Sequence, residues 1–101
     1  MINIAVFISG RGTNLQSIIE AVEAGEVPVA IKAVISDNED AFGLKRARKA
    51  GLEAIFVDPN QYDTDKKYEA RLLEILRECE VKLVALAGFM RLLSPYFIHN
   101  F

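Results

Sequence analysis

"INIAVFISGRGTNLQSII", residues 2–19, places a run of branched and aromatic residues before two glycines two apart, and follows them with apolar residues at helical spacing. Ile2–Ile8 is free of charge and rich in β-branched side chains, the pattern of a strand buried on both faces. Leu15, Ile18, Ile19 and Val22 recur at i, i+3, i+4 and i+7, which marks one face of a helix. Gly25 then stands where a helix ends in a left-handed residue. The stretch therefore reads as strand, glycine turn, helix. The central "SGRGTNL" (Ser9–Leu15) is the turn between them.

The same alternation continues outward. Val29–Ile35 reads as a second strand, and "SDNEDAFG" (Ser36–Gly43) as a polar connection. A short helix from about Ala41 turns Leu44 and Ala47 inward and closes at Gly51. Ala54–Val57 is a short third strand, followed by the turn "DPNQYD" (58–63). Tyr68, Leu72, Ile75, Leu76 and Cys79 mark a longer helix, Leu83–Ala87 a fourth buried strand, and "FMRLLSPYFIHNF" (89–101) follows Gly88. Strands alternating with helices over short loops predict an α/β fold. Right-handed crossovers favour a Rossmann-like parallel sheet of order 3-2-1-4 with helices on both faces. In that order the fourth strand is an apolar edge, and sheets seldom leave such an edge bare. The chain reads as one domain, 1–101, and as the first half of something larger. A homodimer through Leu83–Ala87 or through the C-terminal tail is the other way to cover that edge.

Composition narrows the partners. The 101 residues are 51% hydrophobic and 26% charged, a globular balance, and the net charge of −2 does not point to nucleic acid or an anionic membrane. The apolar run Ile4–Ile8 is too short for a signal peptide or a membrane span and has no basic segment before it. A single cysteine, Cys79, fits a reducing compartment, so the expected location is the cytoplasm. One histidine and one cysteine, 20 positions apart, make no metal-ligand cluster, and no metal is expected.

In an open α/β sheet, ligands bind beyond the carboxyl ends of the strands, and the first strand–helix turn is the usual place. The first amides of the helix have no intrahelical partner and sit at the positive end of its dipole. Such a turn is a ready anion site, and glycine lets the backbone approach a phosphate closely. Thr13 is placed to cap the helix or offer a hydroxyl, and Asn14 to add an amide. Three readings stay open: a terminal phosphate monoester, a dinucleotide, and a purely structural tight turn. Gly10 and Gly12 match the first two positions of G-x-G-x-x-G, but Leu15 stands at the third, while Asp37 ends the second strand where an acid would meet a ribose hydroxyl. A Walker-type loop is excluded, because no Lys-Ser or Lys-Thr follows the glycines.

"FISGRGTNLQSII", "VISDNEDAFGLKRARKAG" and "LVALAGFMRLLSPYF" together resemble the N-terminal half of the glycinamide ribonucleotide formyltransferases, over essentially the whole chain. The resemblance implies the N-terminal half of the formyltransferase fold, with 10-formyltetrahydrofolate as cosubstrate, glycinamide ribonucleotide as small-molecule substrate and no metal. It implies that Gly12, Thr13 and Asn14 hold the substrate phosphate, mainly through backbone amides. It places Met90, Arg91, Leu92 and Leu93 along the pterin and formyl end of the cofactor pocket, with Phe89 beside them and Leu86 on the strand before. Asp65 stands where the family often has a basic residue, with Lys66 and Lys67 next to it, a departure that bears on any folate-tail contact. The family's catalytic asparagine, histidine and aspartate fall beyond Phe101, so by this resemblance the chain holds none of them and is expected to be inactive alone.

The remaining conspicuous residues have plainer readings. His99 precedes the family's catalytic motif and is not the catalytic histidine. Cys79 reads as a small core residue. Lys45, Arg46, Arg48 and Lys49 read as a solvated helix face. Met90 divides between core and ligand wall, and Arg91 between a pocket role and a surface ion pair. Arg11 is a secondary candidate beside the turn.

Overall fold

Along β1 (Ile2–Ile8) the buried side chains alternate between two cores, as period-two geometry requires. Ala5 and Phe7 join one, while Ile4, Val6 and Ile8 join the other. The computed structural model describes all 101 residues, Met1–Phe101. Its remaining elements are α1 (Thr13–Glu23), β2 (Val29–Ser36), α2 (Phe42–Lys49), β3 (Ala54–Phe56), α3 (Asp65–Glu78), β4 (Leu83–Leu86) and α4 (Pro95–Asn100), with a single 3₁₀ turn at Pro59–Gln61.

The sheet is parallel throughout, in the order β3-β2-β1-β4. This is the order expected from the strand–helix alternation. Helices α1 and α2 cover one face through Leu15, Ile19, Leu44 and Ala47. Helices α3 and α4 cover the other through Tyr68, Leu72, Leu76 and Phe97. The strand limits differ slightly from the sequence reading: β2 runs on to Ser36, and β3 and β4 stop at Phe56 and Leu86. The expectation that Leu83–Ala87 is buried is corrected in part. Leu83 is 53% and Leu86 57% exposed, because β4 pairs only with β1 and its other edge is free. Cys79 caps the C-terminus of α3, half-buried against the core. No helix is long and apolar enough to cross a membrane.

Candidate functional site at the carboxyl ends of the strands

The turn after β1 is shaped by contact with α2. Gly12 is the N-cap of α1, with φ +76°, a left-handed conformation that only glycine adopts without strain. A Cβ at Gly12 would lie 2.5 Å from the Cα of Gly43, so two glycines let the backbones meet. The amide of Gly43 donates to the Gly10 carbonyl at 3.0 Å, and Arg46 Nε donates to the Arg11 carbonyl at 2.8 Å. The Gly12 carbonyl accepts from the amide of Gln16 at 2.8 Å.

Thr13 is therefore the first residue of α1 and not its cap, which corrects one expectation. Its side chain makes no capping bond, and its carbonyl accepts from the Ser17 hydroxyl. Thr13 and Asn14 are exposed, Gly12 is buried, and the opening amides of the helix have no intrahelical partner. Leu15 is fully buried, so the third position of a dinucleotide fingerprint is filled by core packing. Asp37 Oδ1 is buried without a hydrogen-bond partner. The burial of Leu15 counts against the dinucleotide reading.

Two residues that sequence reasoning passed over tie the site together. Ser9, at the end of β1, accepts from the Met90 amide through Oγ at 2.8 Å. Its carbonyl accepts from Asn38 Nδ2 at 3.2 Å. Asn38 itself is held by Ser36, whose Oγ accepts from the Asn38 amide at 3.0 Å. The available signal was a hydroxyl or amide residue directly at each strand end, a common place for turn-shaping side chains.

The segment after β4 is arranged differently. Phe89 packs edge-on against Phe7, centroids 5.3 Å apart, and Leu93 packs against the core. Met90 and Leu92 are 81% and 98% exposed, so Met90 is not core filling. Arg91 pairs with Asp65 at 3.3 Å and lies over the Tyr68 ring at 5.1 Å. The structure thus brings together two sequence candidates, Arg91 and Asp65, that are 26 positions apart. Beneath them Tyr68 Oη is buried without a partner, as is Asp37 Oδ1. Burial pushes the Tyr68 phenol well above its ordinary value; the Asp37 carboxylate adds to this and the Arg91 guanidinium opposes it. Glu69, also missed, is buried and accepts from both the amide and the hydroxyl of Ser94 at the start of α4. No group of three or more His, Cys, Asp or Glu side chains is placed to hold a metal ion.

The family model for formyl transferases matches residues 2–101. The chain belongs to the formyl transferase family. Phosphoribosylglycinamide formyltransferase of Escherichia coli is 40% identical over 99 residues, covering 98% of this chain and 47% of that protein. The protein of the same name from Dictyostelium discoideum is 42% identical over 107 residues, covering 98% of this chain and 52% of that one. The crystal structure of glycinamide ribonucleotide transformylase 1 from Symbiobacterium toebii superposes with a TM-score of 0.96 at 46% identity, over 100% of this chain and 48% of that one. The chain spans about half the length of the curated relatives it matches.

Within this formyl transferase chain, His99 is exposed on α4. The Arg11 side chain is exposed, and the turn uses its backbone carbonyl instead. Lys45, Arg48 and Lys49 are exposed as expected, whereas Arg46 is half-buried against the turn.

Proposed function

We propose that residues 1–101 are the N-terminal, substrate-phosphate-binding portion of a cytoplasmic phosphoribosylglycinamide formyltransferase of purine biosynthesis. The observation that carries this reading is the turn Gly10–Asn14. It opens α1 at the carboxyl end of the central strand, its carbonyls are engaged from behind, and the first amides of α1 lack intrahelical partners. Gly12, Thr13 and Asn14 hold the phosphate of glycinamide ribonucleotide through those amides. Met90, Arg91, Leu92 and Leu93 form one wall for 10-formyltetrahydrofolate, with Phe89 and Leu86 behind it and the Asp65–Arg91 pair at its outer end. The exposed apolar faces of Met90 and Leu92 support that role. The cosubstrate supplies the formyl group; residues of this chain bind and orient.

The test is a titration of the 101-residue chain with glycinamide ribonucleotide, ribose 5-phosphate and a nicotinamide dinucleotide, followed on the backbone amide resonances. The first two ligands shift Gly12, Thr13 and Asn14. Shifts with the dinucleotide alone would replace this reading by a nucleotide-binding module, and no shift with any of the three would remove the phosphate assignment.

A second reading, self-association without chemistry, is favoured by the free edge of β4 with its exposed Leu83 and Leu86. Light scattering at high concentration is expected to show a dimer under that reading, and a strictly monomeric chain would eliminate it.

A further inference from the structure

The geometry points to Arg46 as a positioning residue for the anion-binding turn, a role that rests on the phosphate reading above. Each carbonyl of the turn is engaged on one side: Gly10 by the amide of Gly43, Arg11 by Arg46 Nε, and Gly12 by the amide of Gln16. A peptide unit is planar, and in the trans form its carbonyl and its N–H point in opposite directions. The chain contains no cis peptide. Holding those three oxygens therefore aims the amides of Arg11, Gly12 and Thr13 the opposite way, as three successive donors. Two of the three restraints are backbone bonds. The middle one depends on a single side chain.

Arg46 is built for that task. Its guanidinium lies over the half-exposed Phe42 ring at the start of α2, 5.0 Å from the centroid, nearer than Lys45 Nζ at 5.9 Å. Its stem passes close to Gly12: a Cβ there would lie 3.4 Å from Arg46 Cδ. The four ion pairs of the chain do not include Arg46, so its charge stands unneutralised beside the turn. A bound anion gains from that charge as well as from the aimed amides. Lysine is no substitute, because only a planar guanidinium donates through Nε while stacking on a ring.

The experiment compares Arg46→Met, Arg46→Lys and Phe42→Leu with the parent chain. It follows the amide resonances of Arg11, Gly12 and Thr13 in the free protein and their titration with ribose 5-phosphate. Arg46→Met shifts these amides, speeds their hydrogen exchange and weakens ribose 5-phosphate by about tenfold, the loss of one hydrogen bond's worth of orientation. Resonances of α3, on the opposite face of the sheet, stay in place, which separates positioning from general destabilisation. Arg46→Lys leaves most of the loss, and Phe42→Leu produces a smaller one. The proposal is overturned if Arg46→Met leaves the turn amides unmoved, or if Lys restores full affinity, which would make the effect one of charge alone. Should the parent chain bind no phosphate, the phosphate reading fails by itself, and the free-state amides still decide whether Arg46 orients the turn.

Discussion

Gly12 and Gly88 have almost the same backbone, φ +76° and +77°, and each follows a strand at its carboxyl end. Their surroundings are opposite. Gly12 is pressed against Gly43, whereas a Cβ at Gly88 would meet nothing within 4 Å. The turn after β1 is closed on its far side by α2, and every restraint it needs lies within about 35 positions of chain. The segment after β4 is anchored at points, by the Met90 amide on Ser9, by Phe89 on Phe7 and by Arg91 on Asp65, while its apolar side chains Met90 and Leu92 stand in solvent. One region is restrained at three successive carbonyls, and the other only at separate points. A left-handed glycine can thus mark a close approach or only a change of direction, and φ does not tell which.

The two glycines are expected to respond differently to the same added methyl group. Gly12→Ala meets both the left-handed penalty and a backbone collision, and is expected to cost about 2–4 kcal/mol in denaturant unfolding. Gly88→Ala meets the conformational penalty alone, about 1–2 kcal/mol. Equal losses would mean that contact with α2 contributes nothing to the first turn. Loss of ribose 5-phosphate binding is expected for Gly12→Ala only.

A smaller effect sharpens the account of the second region. Tyr68 supports Arg91 with its ring but buries an unpartnered hydroxyl. Tyr68→Phe keeps the ring and removes that hydroxyl, so stability at neutral pH is expected to hold or rise by about 1 kcal/mol. The phenol's folded pKa is raised, so the folded state holds the proton more tightly than the unfolded one. The parent's stability from this group is full below the unfolded value of about 10 and is lost as pH rises above it. The difference between parent and Tyr68→Phe in urea midpoints is therefore expected to widen above pH of about 10. A difference that stays flat with pH would show that the phenol is not held neutral by burial.

Much of the fold was legible because its signals are local. The uncharged run Ile2–Ile8 and the spacing of Leu15, Ile18, Ile19 and Val22 announce a strand and a helix by periodicity alone, and handedness leaves few orders for four parallel strands. The turn at Gly10–Asn14 was legible for the same reason. Ser9, Asn38, Gly43, Arg46 and Glu69 were not, since each acts on a partner distant in sequence, from 25 positions for Glu69 and Ser94 to 81 for Ser9 and Met90. Arg46 was the most misleading: it stands in a run of four basic residues whose average environment is solvent, and only its place against Arg11 distinguishes it.

The alternation of strands and helices and the glycine turn could be read along the chain, because periodicity and backbone preference act within a few residues. Only the tertiary structure decided which glycine contacts another backbone, which arginine reaches a carbonyl, and which apolar residues after β4 remain in solvent. Those outcomes depend on the meeting of elements far apart along the chain, where packing geometry, and not local propensity, sets the partner of each polar group.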